Sequence, residues 1–210
     1  MRGFLHLPAA ANGDSLLLTH GAGANCRSNL LISIANAFAE VGFTVLRYDL
    51  PFRQARPSGP PMAGMAERDR EGIRRAIEVL KQRIGGRIFA GGHSYGGRQT
   101  TILVSEHPEL VDVLLLLSYP LHPPRKPEQL RTAHFPKLTR PALFVHGSRD
   151  PFGTLEEMEA ALELIPAIHY LLAVDGGHDL LPKKPSFELS ALCVEAFRVF
   201  VELLPAKQRK

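Results

Sequence analysis

Short apolar runs alternate along this chain with longer segments in which apolar residues recur at helical spacing. Six runs have the length and composition of buried strands: 14–20, 43–49, 87–91, 111–118, 141–146 and 168–174. Five segments have helical periodicity: 29–41, 65–84, 95–107, 155–165 and 187–204. Because strands and helices alternate, the pattern predicts an α/β domain with parallel strands and right-handed crossovers.

Length and composition fit one domain. The chain has 210 residues, 45% of them apolar, which is enough to bury a core without disulfides or metals. No internal repeat or long linker divides it, and the Pro-rich stretches 51–61 and 120–127 are short enough to be loops. We therefore expect a single domain over 1–210, ending in a short basic tail at 205–210.

Charge and cysteine content exclude several classes of protein. The net charge is +4, but basic and acidic residues are interleaved, so we expect no nucleic-acid partner. The longest apolar run, 113–117, is too short to span a membrane, and His6 and Pro8 interrupt the N-terminal run that a signal peptide would need. Cys26 and Cys193 have no metal-ligand spacing. These features predict a cytoplasmic protein with no membrane partner and no metal.

The strongest chemical motif is GGHSYGG at 91–97, which follows the third predicted strand and opens a helix. A turn from strand to helix within so few residues strains its central residue and projects that side chain above the sheet. Gly92 and Gly96 remove Cβ atoms that would collide in such a turn. Ser94 is therefore a candidate nucleophile.

A serine nucleophile needs a base, and the base needs an acid that orients it. Asp150 lies in the sequence HGSRDP just after the fifth predicted strand, and His178 lies in DGGHD just after the last one. Asp175 and Asp179 are alternatives to Asp150 as the acid. Each of the three residues follows a predicted strand, so all three should lie at the carboxyl ends of parallel strands, where ligands bind in such sheets. Their order along the chain is Ser, Asp, His, as expected when the nucleophile lies on such a turn.

The Gly-rich loop after the first predicted strand completes this set. Acyl transfer places negative charge on a carbonyl oxygen, which backbone N–H groups can stabilise. We expect one such donor to be the N–H of Tyr95 and the second to be that of Ala22, with Gly23 as the alternative. No cofactor is needed for this chemistry.

The same loop allows a competing interpretation. The sequence GAGANC at 21–26 nearly matches the dinucleotide-binding fingerprint GxGxxG, and Asp49 ends the next strand, where a ribose-binding acid could lie. However, Cys26 replaces the third glycine, and Asp49 lies farther along the chain than the fingerprint requires.

Further candidates lie in loops near the same edge of the sheet. They are Arg53, Arg56, Arg98, Tyr119, His122 and Phe152. The guanidinium groups would suit a carboxylate or phosphate on the substrate, or they form internal ion pairs or face solvent. The three rings could form the walls of a substrate cleft, or they hold the loops in place.

Together these motifs resemble the α/β-hydrolase superfamily, in a compact form similar to dienelactone-hydrolase-like proteins. The residues that carry the resemblance are GHSYG, HGAG, Asp150 and His178, and the likeness runs over 16–204. The stretches GHSYGGR, YPLHPP and GSRDPFG look like a narrower subgroup of small bacterial hydrolase-like proteins. That subgroup is related to a human testis-expressed protein and to the hydrolase-like domain of a chromatin-modifying complex subunit.

The resemblance implies a mostly parallel sheet of six or seven strands with helices on both faces, the larger number if residues 2–7 form a strand. The segment 119–140 has only 22 residues, too few for a helical lid, so we expect an open site. The implied function is a serine hydrolase, monomeric or homodimeric, that cleaves an ester or thioester of a small or exposed acyl substrate. The alternative is a catalytically silent scaffold that binds partners.

Overall fold

The computed structural model describes residues 2–181 and 188–205. Within these residues the strands are β1 (Gly3–His6), β2 (Ser15–Thr19), β3 (Thr44–Tyr48), β4 (Ile88–His93), β5 (Val113–Leu117), β6 (Ala142–Gly147) and β7 (His169–Val174). The α-helices are α1 (Asn29–Glu40), α2 (Pro51–Ala55), α3 (Met65–Arg83), α4 (Tyr95–Glu106), α5 (Leu155–Leu162) and α6 (Leu189–Leu203). Short 3₁₀ helices cover Pro108–Leu110 and Phe135–Lys137.

The strands form one sheet in the order β1-β3-β2-β4-β5-β6-β7. All neighbours are parallel except β1, which pairs antiparallel with β3 at one edge. The six strands expected from the apolar runs are confirmed, and residues 2–7 contribute the seventh.

Two apolar layers pack against the two faces of the sheet. Because side chains alternate along a strand, Leu17 of β2 faces one layer while Leu16 and Leu18 face the other. Helices α3, α4 and α5 cover the first face, and α1 and α6 cover the second. The prediction of helices on both faces is therefore confirmed.

Some element boundaries differ from the prediction. Helix α2 occupies part of the stretch 51–61 that was expected to be a loop, because Pro51 stands at the first helical position, where its missing N–H costs nothing. The predicted helix 187–204 is described from Leu189 onward, and position 187 lies outside the described residues. The same holds for 206–210 of the predicted basic tail.

The chain that follows β5 bears on access to the sheet. Between β5 and β6 it contains one 3₁₀ helix and otherwise turns and loops, so this segment forms no helical lid over the carboxyl ends of the strands. Among residues 2–181 and 188–205, no helix is long and apolar enough to cross a membrane.

Candidate active site

Ser94 occupies the sharp turn between β4 and α4. Its backbone has φ 51° and ψ −119°, a conformation that costs a non-glycine residue on the order of 1–3 kcal/mol. Two hydrogen bonds hold the turn: Ser94 N donates to Leu117 O (2.9 Å), and Arg98 N donates to Ser94 O (3.0 Å). The strain is thus fixed by the surrounding chain, and Ser94 lies at the carboxyl edge of the sheet.

Glycines allow β2 to approach this turn closely. Gly92 has φ 151°, and a Cβ atom there would overlap Thr19. A Cβ atom on Gly96 would lie 2.6 Å from His20 O. Any side chain at either position would therefore push the loop after β2 away from Ser94.

Three side chains form a hydrogen-bonded chain across this edge. The Ser94 hydroxyl donates to His178 Nε2 (2.8 Å), and His178 Nδ1–H donates to Asp150 Oδ2 (2.8 Å). The Asp150 side chain is fully buried, and its other oxygen accepts the N–H of Phe152 (2.9 Å). This bond holds the carboxylate in the orientation that fixes the His178 tautomer.

The alternative acids have other contacts. Asp175 forms an ion pair with Arg149, and Asp179 accepts the backbone N–H of Leu181 (3.1 Å). Asp150 is therefore the acid that contacts the His178 ring.

His93 holds the loop that carries His178, a contact that the sequence analysis missed. His93 Nε2–H donates to the backbone oxygen of His178 (2.7 Å), and the two rings lie 5.1 Å apart. Burial lowers the pKa of His93 to about 4, so the ring is neutral near pH 7 and can keep this tautomer. Phe152 also packs against the His178 ring, with ring centroids 4.2 Å apart. The only signal for His93 in the sequence is its position directly before Ser94.

Ala22, Gly23 and Tyr95 line the space beside Ser94. The loop after β2 turns through a hydrogen bond from Ala24 N to Gly21 O (3.1 Å). Among the described residues, the N–H groups of Ala22, Gly23 and Tyr95 have no hydrogen-bond acceptor. Tyr95 begins α4, where unpaired N–H groups and the helix dipole favour a negative charge.

Arg53 does not line the substrate cleft, and its guanidinium is bonded internally, so the substrate role that the sequence left open for it is not supported. It is 2% exposed and donates to four backbone oxygens: Ala24 (2.7 Å), Ala22 (2.9 Å), Gly59 (2.9 Å) and Arg56 (3.3 Å). Two of these acceptors belong to the Gly-rich loop. Arg53 therefore ties that loop to the segment after α2, while Arg56 itself is exposed.

Asp49 is also used internally, which argues against the dinucleotide interpretation. It is 4% exposed, accepts the N–H of Cys26 (2.7 Å) and forms an ion pair with Arg2 (2.6 Å). Its carboxylate is thus committed to holding the chain before α1 and is not open to a ribose.

The cleft beside Ser94 has a volume of about 440 Å³. Loop 21–24, His178 and Phe152 form part of its wall, and Arg98 and Arg131 line it as well. Phe152 and Arg98 therefore lie where the sequence analysis expected them, whereas Arg131 was missed. A larger groove of about 520 Å³ lies beside α2 and α3 and shares no lining residue with this cleft.

Tyr119 and His122 do not line this cleft, so their expected role as its walls was wrong. Tyr119 is 1% exposed, belongs to the apolar core, and donates its hydroxyl to Arg131 O (2.7 Å). The His122 ring contacts Pro123 O (2.8 Å) and Glu157 (3.2 Å). Both rings hold the segment after β5 in place.

The chain belongs to the family described as an alpha/beta hydrolase domain, which it matches over residues 12–201. Est1E from Butyrivibrio proteoclasticus, solved with ferulic acid, is similar with a TM-score of 0.76 and 16% identity, covering 94% of each chain. Dienelactone hydrolase from Anabaena variabilis has a TM-score of 0.73 and 22% identity over 97% of this chain and 92% of its own. An α/β serine hydrolase without a lid from Xanthomonas campestris has a TM-score of 0.70 and 16% identity over 96% and 89%. At these identities the likeness shows the shared fold alone.

Proposed function

We propose that this protein is a serine hydrolase that transfers the acyl group of an ester or thioester to water. The observation that carries the proposal is the hydrogen-bonded chain from Ser94 through His178 to the buried carboxylate of Asp150. This is the arrangement that a serine hydroxyl, a poor nucleophile by itself, needs for activation.

The proposed reaction follows from the positions of these atoms. His178 Nε2 accepts the proton of Ser94 as its Oγ attacks the carbonyl carbon, and Asp150 stabilises the resulting imidazolium. The N–H groups of Tyr95 and Ala22, or Gly23 in place of Ala22, stabilise the oxyanion. His178 then gives its proton to the leaving group, and a water molecule attacks the acyl-enzyme in the same way. The cycle uses no metal or organic cofactor.

The open cleft supports small or exposed acyl substrates. The segment between β5 and β6 forms no lid, so it offers no cover under which a long lipid chain would be buried. We propose a small-molecule substrate for a cytoplasmic protein, monomeric or homodimeric, with no nucleic-acid or membrane partner.

Labelling with a fluorophosphonate probe tests this proposal. We expect one adduct, located on Ser94 by mass spectrometry and lost in Ser94→Ala and His178→Ala. Ser58→Ala is the control, because Ser58 is exposed in the loop after α2 and should label like the wild type. A folded wild-type protein that forms no adduct would contradict the proposed activity.

A catalytically silent scaffold is the second proposal. It rests on the narrower resemblance to small bacterial proteins related to a testis-expressed protein and a chromatin-complex subunit. The buried Asp150 paired with His178 favours the enzyme, because a purely structural role gives no reason for this pair beside a serine. Gel filtration with lysate proteins separates the two, since a scaffold should elute together with a partner.

A further inference from the structure

Two guanidinium groups line the cleft that contains Ser94. Arg98 lies on α4 one helical turn after Ser94, and Arg131 lies in the segment between β5 and β6. They approach the cleft from separate parts of the chain. Their common position is therefore a property of the fold and not of one local motif.

Neither arginine has a carboxylate partner. No ion pair within residues 2–181 and 188–205 includes Arg98 or Arg131, and none of the residues that line the cleft is Asp or Glu. Arg98 Nε is buried without a hydrogen-bond partner among the described residues, and Arg131 donates only to Pro120 O (3.3 Å). The Arg98 guanidinium also contacts the Tyr119 hydroxyl, a neutral partner, so among the described residues neither guanidinium is neutralised by a carboxylate.

The two charges also affect each other and their surroundings. Burial and the charge of Arg98 lower the pKa of Arg131. The same two causes lower the pKa of His134 to about 4, so this ring is neutral and adds no positive charge near pH 7. Two like charges held together in a partly buried cleft are unfavourable unless an anion joins them. Arg53 shows the contrast, because four backbone oxygens satisfy its guanidinium.

We propose that Arg98 and Arg131 bind a carboxylate or phosphate group of the substrate, so that the enzyme prefers anionic esters or thioesters. This inference rests on the proposed function and adds the substrate class to it. Arginine suits this role because its planar fork binds such oxyanions through two hydrogen bonds at once. Since Arg98 follows Ser94 by one turn, about 5.4 Å of helix rise, a short spacer should separate the anion from the reacting carbonyl.

Hydrolysis of two matched esters tests the preference. The p-nitrophenyl monoester of glutaric acid carries a terminal carboxylate, and p-nitrophenyl pentanoate is its neutral analogue of similar length. For the wild type we expect kcat/KM to be at least about tenfold higher for the anionic ester than for the neutral one. This ratio should fall as salt is added. Arg98→Gln and Arg131→Gln should each remove most of this preference, mainly by raising KM for the anionic ester, so that the ratio of kcat/KM for the two esters approaches one. Arg98→Lys keeps the charge and should keep part of the preference.

Arg83→Gln is the matched control. Arg83 is exposed at the end of α3, just before β4 begins, and so lies near the opposite edge of the sheet. This variant loses one positive charge without changing the cleft and should keep the wild-type ratio. Equal kcat/KM of the wild type for the two esters would overturn the anion site while leaving the proposed hydrolase function intact.

Binding to Ser94→Ala gives a result that does not depend on turnover. Calorimetry should detect binding of monomethyl glutarate or propyl phosphate but not of methyl pentanoate. Adding Arg98→Gln or Arg131→Gln should weaken the binding of the anion at least about tenfold. The stronger of the two anions identifies the group that the site prefers. Arginine-dependent binding without hydrolysis of any ester would support the anion site and contradict the proposed function. Absence of binding by either anion to this folded variant would overturn the inference.

Discussion

Arg53 shows how a single buried residue can position reactive groups that it does not supply. Its guanidinium joins the backbone oxygens of Ala22 and Ala24 to those of Arg56 and Gly59. A buried charge is unfavourable unless hydrogen bonds satisfy it, so this set of bonds fixes both segments relative to Arg53. Ala22 and Ala24 line the cleft beside Ser94, so the position of this loop relative to Ser94 depends on these bonds.

We therefore expect Arg53→Met to reduce the rate of acylation of Ser94, although Ser94, His178 and Asp150 themselves are unchanged. Displacing one oxyanion donor reduces rates by on the order of 10²-fold to 10³-fold. The measurement is the rate of fluorophosphonate labelling in protein that circular dichroism shows to be folded. Arg53→Lys should recover part of the rate, because an ammonium group can reach one or two of the same oxygens.

Arg56→Gln provides the comparison. Arg56 lies three residues after Arg53 and its side chain is exposed, so this variant should label at the wild-type rate. If Arg53→Met is folded and labels as fast as Arg56→Gln, the loop does not depend on Arg53.

Ser94, Asp150 and His178 could be predicted as a set because each lies in a short motif at the end of a strand. The contacts that support them could not, because their partners are distant in sequence. Arg53 bonds to a residue 31 positions away, and His93 bonds to one 85 positions away. Tyr119 illustrates a different limit: its position just after β5 was predicted, but the direction of its ring into the core depends on the packing around it.

At the level of elements, the crossing of β2 and α4 determines the shape of the cleft. Gly96 in the first turn of α4 lies directly against the end of β2, where a Cβ atom would be 2.5 Å from Thr19 Oγ1 and 2.6 Å from His20 O. The Thr19 hydroxyl is itself bonded to Gly91 O (2.8 Å), so it has little freedom to move. The distance between the Gly-rich loop and Ser94 therefore depends on the missing side chain of Gly96 as well as on that of Gly92.

Gly96→Ala should separate these two elements. We expect a loss of about 1–3 kcal/mol in the free energy of unfolding, as for other overpacked sites, together with slower labelling of Ser94. Urea denaturation and labelling rates measure the two effects. Gly85→Ala is the control, since a Cβ atom on Gly85 would meet nothing within 4 Å. Wild-type stability and labelling in Gly96→Ala would show that the crossing can relax freely.

The order of elements could be predicted better than their ends. Alternation of apolar runs and helical periodicity located β2 to β7 because every one of these strands is covered by helices or loops on at least one face. Helix α2 was missed because a five-residue helix has too few positions to show a period, and its Pro-rich surroundings are typical of loops. The antiparallel edge strand β1 could be proposed only from the number of strands in the fold that the sequence resembles. Its four mostly exposed residues show little hydrophobic pattern of their own.

For the molecule as a whole, buried histidines link folding to pH. Burial is the largest cause that lowers the pKa of His20, His93, His134 and His146 in the folded chain, to about 4 for His93 and His134. In the unfolded chain a histidine titrates near 6.5. Between these values the unfolded state binds more protons than the folded state. The stability contributed by neutral burial is thus fully present above about pH 6.5 and is lost as the pH falls toward 4.

We expect the free energy of unfolding to fall between pH 6.5 and pH 4.5, with a slope of about 1.4 kcal/mol per pH unit for each histidine that remains neutral in the folded state. Urea denaturation at several pH values measures this slope. His134→Gln should reduce it by about one proton, because an amide can replace the contact of His134 with Thr101 but cannot titrate. His122 has a raised pKa because its ring contacts Pro123 O and Glu157, so its contribution is present below about pH 6.5 and is lost only as the pH rises above that value; His122→Gln should therefore leave the fall between pH 6.5 and pH 4.5 almost unchanged. Stability that stays constant from pH 7 to pH 4.5 would contradict this linkage, since it requires the four rings to take up protons without unfolding.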